Sequence, residues 1–228
     1  MWNRTRRLTT PLAFLVGMST FLLGMAEKKN HSFHPPYNLE NYIQRLETPN
    51  RAGWQKPDQV IAALALKEGE TIADIGAGSG YFSVQFARII GKGKGSVIAV
   101  DVNPDMLEYL QERVIKNNLE NIQTILAGPN DPKLPSSSAD FIFLCNVTHH
   151  ITARPAYYQK LKKALKPNGR MAIIDFYKKE TPVGPPIGMK LSRQQVLEEV
   201  KESGYQLLNE FDFLPYQYFL VFQPLAQP

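Results

Sequence analysis

The sequence predicts a three-layer α/β/α fold around a seven-stranded, mainly parallel β-sheet with a C-terminal antiparallel hairpin. From residue 57 onwards, apolar strand-like segments alternate with amphipathic helical segments, which is the pattern of repeated βαβ units. The last two strand-like runs are separated only by Leu214 and Pro215, too few residues for a crossover, so they are expected to pair antiparallel. The chain has 228 residues, of which 43% are hydrophobic, enough to bury the core of such a sheet.

The same alternation places each element in order. Asn103 and Pro104 predict the start of the helix after the second strand, because Asn caps helices and Pro suits their first turn. A turn at residues 166–169 (KPNG) is expected to separate the next helix from the fifth strand. The predicted strands span residues 71–75, 96–100, 122–126, 139–145, 170–176, 205–213 and 216–222. The other predicted helices span residues 58–66, 81–90, 155–165 and 192–203.

The N-terminal segment has the pattern of a targeting sequence. Three arginines within residues 4–7 precede an uncharged apolar run over 11–26. This run is shorter than the roughly 20 residues that a membrane-spanning helix needs, and Gly24 and Ala26 have the spacing that a signal peptidase accepts. We therefore expect residues 1–26 to be a signal peptide or an N-terminal anchor. The protein is then exported to the periplasm or cell envelope, or associated with the inner membrane, and it is cytoplasmic if the start codon is misassigned.

Polar residues separate this segment from the main domain. Residues 27–56 are predicted to be a linker and N-terminal arm, followed by a domain over 57–228. His31 and His34 lie in the linker without further metal ligands nearby, so no metal site is predicted.

The charge balance argues against a nucleic-acid partner. The chain carries 26 Lys and Arg and 21 Asp and Glu, a net charge of +5. Three of the Arg lie in residues 1–26, which contain no acidic residue, so 23 basic and 21 acidic residues remain for the rest of the chain. The densest basic run, Lys160 to Lys166, is expected to be a solvated helix face. The excess positive charge therefore indicates membrane contact through residues 1–26 rather than nucleic-acid binding.

Residues 74–80 (DIGAGSG) predict a glycine-rich turn between the first strand and the following helix. Glycines allow a sharp turn and let a ligand approach the backbone. The dinucleotide fingerprint would need a third glycine at Tyr81, and Asp74 would repel a phosphate, so an NAD-dependent dehydrogenase is disfavoured. Asp74 is instead suited to bind the ammonium of a ligand that has an amino-acid tail.

Polar residues also follow the next two strands. Asp101 ends the second strand, a place from which a carboxylate can accept both ribose hydroxyls. Asn130 and Asp131 follow the third strand and are candidates to bind an adenine amino group, although the pair also suits a plain turn before Pro132. Together these residues predict a nucleoside site at the carboxyl edge of the sheet.

Four segments stand out together: 74–80 (DIGAGSG), 97–107 (VIAVDVNPDML), 139–151 (ADFIFLCNVTHHI) and 161–176 (LKKALKPNGRMAIIDF). Through them the sequence resembles, over residues 58–222, the class I methyltransferases that use S-adenosyl-L-methionine. The segments 51–57 (RAGWQKP), 127–135 (AGPNDPKLP) and 214–222 (LPYQYFLVF) further resemble a bacterial subgroup with export-like N-termini. The resemblance to the class I methyltransferases implies a Rossmann-like sheet with the cofactor lying across the carboxyl ends of the central strands.

The resemblance also implies a cofactor-binding set. Gly76, Gly78 and Gly80 are expected to face the methionine and ribose portions, and Asp101 is expected to hold the ribose. Asn146, at the end of the fourth strand, completes the predicted cofactor contacts.

The loop after the fourth strand is expected to supply the catalytic groups. His149 or His150 is a candidate base or orienting donor, although adjacent side chains are expected to point in different directions. Asp175, at the end of the fifth strand, is a second candidate. Cys145, the single cysteine, is interpreted as a buried strand residue rather than a nucleophile.

The surroundings indicate the kind of acceptor. The segment beginning at Asn146 lacks the Asn-Pro-Pro-Tyr pattern of DNA amine methylases, which favours a small-molecule acceptor. Tyr177 and the loop over 181–188 are expected to cover it. Arg51 and Trp54 are expected either to close over the cofactor pocket or to anchor the arm by packing.

An alternative function stays open. A non-catalytic cofactor-binding or scaffold protein of the cell envelope would keep the same fold. It is suggested by the export-like N-terminus, because the methyl donor is made in the cytosol.

Overall fold

The computed structural model describes residues 38–91 and 93–225. Within these residues a seven-stranded sheet has the order β3-β2-β1-β4-β5-β7-β6. The pairs among β1 to β5 are parallel, whereas β7 is antiparallel to both β5 and β6. The predicted fold class is therefore confirmed. The predicted signal or anchor, the linker histidines and the start of the arm lie outside the described residues.

The strands are β1 (Thr71–Ile75), β2 (Ser96–Asp101), β3 (Ile122–Leu126), β4 (Ala139–Cys145), β5 (Leu165–Phe176), β6 (Tyr205–Phe211) and β7 (Gln217–Pro224). The helices are α1 (Leu39–Leu46), α2 (Arg51–Gln55), α3 (Pro57–Leu64), α4 (Ser83–Ile89), α5 (Pro104–Lys116), α6 (Arg154–Ala164) and α7 (Arg193–Glu202). Short 3₁₀ turns follow β4 at Thr148–His150 and β5 at Ile187–Met189.

Side-chain caps fix where three of these helices begin, among them α7, where the Ser192 hydroxyl accepts the backbone N–H of Gln195 at 3.1 Å. The Asn103 side chain accepts the backbone N–H of Asp105 at 2.9 Å, which confirms the predicted start of α5. The Asn38 side chain accepts the backbone N–H of Asn41 at 2.9 Å and caps α1 in the same way. The arm that the sequence predicts as a polar segment thus contains two helices, α1 and α2, over its described part.

The predicted turn at residues 166–169 is wrong in its position. The strand β5 begins at Leu165, which pairs with Ala139, and regular pairing with β4 resumes at Arg170 opposite Phe141. The residues between these pairs form an irregularity inside the strand, with Asn168 in the left-handed region at a φ of 64°. The KPNG segment therefore bends β5 and does not separate it from α6.

The core lies on both faces of the sheet. On one face it includes Tyr158 and Leu161 of α6 and Val196 of α7. On the other face it includes Val60 and Leu64 of α3. Because parallel strands are apolar on both faces, polar side chains are left to the strand ends, where the candidate site lies. Among the described residues no helix is long and apolar enough to cross a membrane.

Replacing Phe143 tests this packing. Its ring lies 4.9 Å from that of Phe82 and 5.0 Å from that of Phe86, and it is fully buried. We expect Phe143→Ala to lower the free energy of unfolding by about 3–5 kcal/mol, because a cavity remains. Urea denaturation measures this loss. Ile115→Ala is the control: Ile115 is 75% exposed, so a change beyond about 0.5 kcal/mol is not expected there.

Candidate active site

The carboxyl ends of β1, β2, β4 and β5 meet at one edge of the sheet, around the turn that joins β1 to α4. Gly76 and Gly80 have positive φ values of 68° and 76°. A Cβ on Gly76 would lie 2.5 Å from Cγ2 of Val147, and a Cβ on Gly80 would lie 2.1 Å from Cδ1 of Leu110. The turn is therefore wedged between the loop after β4 and helix α5, with room only for glycine.

Asp101 lies directly against this turn. Its Oδ2 accepts the backbone N–H of Gly78 at 2.8 Å, and its Oδ1 accepts that of Asn103 at 2.9 Å. Burial raises the pKa of the Asp101 carboxyl, and the backbone hydrogen bonds oppose that shift. The structure thus brings together the predicted ribose acid and the glycine turn. Helix α1 covers the same point, because a Cβ on Gly78 would meet Leu46 Cδ1 at 3.3 Å.

Asp74 lies beneath the turn, in β1. It is buried, and its Oδ2 accepts the Ser83 hydroxyl at 2.5 Å. Burial raises the pKa of Asp74 to about 7, although the Ser83 hydrogen bond favours the ionised form. A ligand ammonium beside Asp74 would favour the carboxylate further, so its position fits the predicted role.

Asn130 and Asp131 form a tight turn after β3. The backbone N–H of Gly128 donates to the Asp131 carbonyl at 2.9 Å, and the Asn130 side chain accepts the Thr152 hydroxyl at 3.2 Å. The plain-turn alternative therefore describes this segment, and an adenine contact stays a prediction. Sequence reasoning missed Tyr157. Burial raises the pKa of its hydroxyl, and the charges of Asp131 and Asp101 add to that rise.

The arm is fastened to the glycine turn by Glu47, another residue that sequence reasoning missed. Glu47 Oε1 accepts the Ser79 hydroxyl and Arg113 Nη1, each at 2.5 Å. Arg113 Nη1 also donates to the Ser79 carbonyl at 2.7 Å. The end of α1, the turn and α5 are therefore joined by one polar cluster.

The two arm residues singled out from the sequence pack against the domain. The guanidinium of Arg51 lies 3.9 Å from the centroid of the Tyr81 ring. The Trp54 ring lies 5.6 Å from that of Phe176. Both residues thus anchor the arm, and their closure over the cofactor pocket stays a prediction.

Three buried or half-buried amides form a closed ring beside the end of β4. Gln55 Nε2 donates to Gln217 Oε1 at 2.8 Å, and Asn146 Nδ2 donates to Gln55 Oε1 at 3.2 Å. Gln217 Nε2 donates to Asn146 Oδ1 and closes the ring. Asn146 has a positive φ of 60°. Its side chain is thus held by protein partners, and its predicted contact with the cofactor stays a prediction.

His149 and Asp175 form a buried pair across the ends of β4 and β5. His149 Nδ1 lies 2.9 Å from each carboxylate oxygen of Asp175. The carboxylate also accepts the backbone N–H of His149 at 3.2 Å and that of Phe176 at 2.8 Å. An ionised Asp175 accepts a hydrogen bond from Nδ1–H, and in that tautomer Nε2 carries the lone pair. Three buried hydroxyls, those of Thr148, Tyr158 and Tyr218, have no hydrogen-bond partner among the described residues.

His150 and Cys145 lie near His149 in the chain, His150 directly after it and Cys145 at the end of β4. His150 is exposed, and its ring centroid lies 4.2 Å from that of His149, so the expectation that the two side chains diverge is wrong. The 3₁₀ turn at Thr148–His150 lets the rings lie against each other. Burial raises the pKa of the Cys145 thiol to about 12, so it stays protonated at neutral pH, which agrees with a structural role.

The loop after β5 packs over the end of that strand. A Cβ on Gly184 would lie 2.7 Å from the Phe176 ring. The buried Lys190 donates from Nζ to the Lys179 carbonyl at 2.7 Å and to the Thr181 hydroxyl at 2.5 Å. The loop predicted to cover the acceptor is thus tied at both ends, beside the half-exposed Tyr177.

The glycine turn followed by an acid at the end of β2, within this strand order, defines the class I S-adenosylmethionine-dependent methyltransferase architecture. The crystal structure of a SAM dependent methyltransferase from Aquifex aeolicus is similar, with a TM-score of 0.76 and 29% sequence identity, over 82% of this chain and 98% of that one. A putative type 11 methyltransferase from Sulfolobus solfataricus shares the fold, with a TM-score of 0.59 and 21% identity, over 83% of this chain and 94% of that one.

Residues 66–211 match Methyltransf_31, a methyltransferase domain family, and the chain belongs to this family. S-adenosyl-L-methionine is accordingly its cofactor. A curated relative is the ubiquinone/menaquinone biosynthesis C-methyltransferase UbiE of Francisella tularensis subsp. novicida, 28% identical over 67% of this chain and 60% of that protein. The UbiE of Teredinibacter turnerae is 27% identical over 65% of this chain and 58% of that protein. The chain thus spans about three fifths of the length of these relatives.

Adding a methyl group at two glycines tests the turn. We expect Gly80→Ala to lower the free energy of unfolding by about 1–3 kcal/mol, because of its left-handed φ and its overlap with Leu110. Gly53→Ala is the matched control: Gly53 lies inside α2 with nothing within 4 Å of the added Cβ. There we expect a gain of about 0.5–1 kcal/mol from helix propensity. Chemical denaturation measures both, and equal effects would contradict the wedged turn.

Asp74 predicts a pH dependence of stability without cofactor. The folded pKa of about 7 lies above the ordinary 3.8, so the folded state binds this proton more tightly. The free energy of unfolding should therefore lose this contribution as pH rises from about 4 to about 7. Asp74→Asn removes the titration and keeps an acceptor for Ser83. As the pH rises across that range, the free energy of unfolding of the variant should therefore increase relative to that of the wild type. If the difference in free energy of unfolding between Asp74→Asn and the wild type, measured by chemical denaturation, stays the same across that pH range, this expectation is refuted.

Proposed function

We propose that the protein transfers the methyl group of S-adenosylmethionine to a small-molecule acceptor that loses a proton, with His149 as general base and Asp175 as its positioning residue. The observation that carries this proposal is the buried His149–Asp175 pair at the ends of β4 and β5. It follows directly on Val147, whose side chain packs against the glycine turn. The proposed base and the cofactor turn are thus parts of one contiguous edge.

The residues of this edge fit the cofactor. The turn at Gly76 and Gly80 forms a cradle in which a Cβ would overlap its neighbours. Asp101 would hold the ribose hydroxyls from the position where it now accepts the Gly78 N–H, and Asp74 would face the ammonium. The bound cofactor supplies a sulfonium methyl that is already activated, so the protein mainly aligns the acceptor and excludes water.

Proton removal is the chemical task left to the side chains. A carbon or hydroxyl acceptor becomes neutral after methylation only if it releases a proton to a base. Neutral His149 accepts that proton at Nε2, and the Asp175 carboxylate at Nδ1 stabilises the imidazolium that results. Both side chains are almost completely buried, which strengthens their interaction relative to one in water.

We infer that the acceptor is aromatic. The UbiE relatives are C-methyltransferases of ubiquinone and menaquinone biosynthesis, which supports methylation of a ring carbon by this chain as well. Aromatic side chains gather where β5 ends: Phe176 is its last residue, Trp54 packs on Phe176, and Tyr177 is half-exposed beside them. Trp54 and Tyr177 are only partly buried, and such rings stack on a planar acceptor.

The experiment follows transfer of a radiolabelled methyl group from S-adenosylmethionine to hydroxylated aromatic compounds, including reduced 1,4-naphthoquinone. We expect His149→Gln and Asp175→Asn to lower the transfer rate about 10²–10⁴-fold, because the base or its orientation is lost. Their affinity for S-adenosylhomocysteine, measured by calorimetry, should stay at the wild-type value. His150→Gln is the matched control and should lose less than about tenfold, because His150 is exposed, whereas the ring of His149 is the one buried against Asp175.

The outcomes separate the hypotheses. Absence of S-adenosylhomocysteine binding at millimolar concentration would reject the whole function. Binding without transfer to any compound would favour the non-catalytic scaffold alternative. Transfer that survives His149→Gln unchanged would reject His149 as the base.

A further inference from the structure

Arg51 is a buried cation with an incomplete set of partners at the cofactor edge. It is the first residue of α2 and is only 7% exposed. Its Nη1 donates to the Leu46 carbonyl at 2.8 Å, but its Nε is buried and has no hydrogen-bond partner in the part of the chain that is described. Among those residues no carboxylate lies within ion-pair distance of its guanidinium.

The guanidinium is held in one place by aromatic side chains. It lies 3.9 Å from the ring centroid of Tyr81, the residue directly after the glycine turn, and 5.9 Å from that of Phe82. Cation–π contact stabilises the charge by about 0.5–2 kcal/mol but does not neutralise it. A buried charge without an anion is costly, so this position is suited to an anionic group of a ligand.

The charge of Arg51 also acts on Asp74. Burial dominates the raised pKa of Asp74, and the charge of Arg51 opposes that rise. The charge of Arg51 and a side-chain hydrogen bond from it also oppose the raised pKa that burial gives Cys145 at the end of β4. The charge of Arg51 therefore acts on groups at the ends of both β1 and β4, including the acid expected to bind the ammonium of the cofactor.

We propose that Arg51 binds the α-carboxylate of the methionyl tail of S-adenosylmethionine. The ammonium and the carboxylate of an amino acid are carried by the same carbon atom, so an ammonium at Asp74 brings the carboxylate within reach of a neighbouring cation. A guanidinium matches a carboxylate with two parallel N–H donors, and the unpartnered Nε is one such donor. The proposal rests on the proposed use of S-adenosylmethionine as methyl donor.

This assignment makes the arm part of the cofactor site. The family match begins at residue 66 and does not include Arg51. Glu47 holds the end of α1 to Ser79 in the glycine turn, and Leu46 offers its carbonyl to Arg51. The contacts that fix Arg51 thus come from Leu46 in the arm and from Tyr81, directly after the glycine turn.

The test compares S-adenosylmethionine with its decarboxylated form, which keeps the sulfonium, the ammonium and the nucleoside. Calorimetry measures the affinity of both ligands for the wild type, Arg51→Met and Arg51→Lys. We expect the wild type to bind S-adenosylmethionine about 10–100-fold more tightly than the decarboxylated form, since a charged hydrogen-bonded pair contributes about 1.5–3 kcal/mol. Arg51→Met should abolish that preference and leave the affinity for the decarboxylated ligand within about threefold.

Two further variants complete the test. Arg88→Met removes an exposed arginine of α4 that donates to Asn117, and it should keep the full preference. Arg51→Lys keeps the charge without the planar donor pair and should retain only part of the preference. If Arg51→Met does not fold in a thermal melt, this partial loss in Arg51→Lys carries the test.

Each remaining outcome overturns one claim. Equal weakening of both ligands by the Arg51 variants would show that Arg51 acts only by packing. An unchanged preference in Arg51→Met would show that another group binds the carboxylate. Failure of the wild type to bind either ligand would reject the cofactor itself, which is a failure of the proposed function.

Discussion

The site depends on the absence of side chains in the glycine turn, because neighbouring residues fill the space that those side chains would need. Val147 and Leu110 occupy the positions that side chains on Gly76 and Gly80 would need, so the loop after β4 and helix α5 both approach the backbone of the turn. That approach fixes where the histidine loop leaves β4. It also lets the Gly78 N–H reach Asp101. A bulkier turn would separate the ribose acid from the proposed base, because both are positioned against the same few backbone atoms.

The alternation of side chains along the strands places Asp74 and Asp175 on opposite faces of the sheet. Asp74 follows Ile72 at a spacing of two and shares its face, together with the layer formed by α3 and α4. Asp175 follows Ile173 at the same spacing and shares the opposite face, with α6 and α7. The proposed ammonium site and the proposed base thus lie on opposite sides of the sheet, and the strand edge between them is where cofactor and acceptor would meet.

Local patterns in the sequence were sufficient to predict the sheet and the identity of most polar residues at its edge. The strands over 71–75, 122–126 and 139–145 have the predicted bounds, because apolar strands of a parallel sheet and their turns are visible within a few residues. The turn predicted from the KPNG segment was wrong in its position because the turn-like composition of this segment also suits an irregularity within a strand.

Contacts between distant segments could not be predicted in this way. Glu47 reaches Arg113 across 66 residues, and its acidic side chain carries no local signal of that partner. Arg51 was visible as an arm residue, but the missing partner of its Nε appears only when the arm is seen against Tyr81.

The amide ring of Gln55, Asn146 and Gln217 has a consequence for the order of folding. Gln55 and Gln217 are 162 residues apart, so this ring forms only after β7 has joined the sheet. Closing so long a loop is entropically unfavourable until the intervening contacts exist. The contact of Gln55 with β7 is therefore completed late, whereas the contacts of Glu47 with Ser79 and Arg113 involve no residue of β7. A chain lacking its last strand would have the glycine turn but not the closed amide ring that holds the Asn146 side chain.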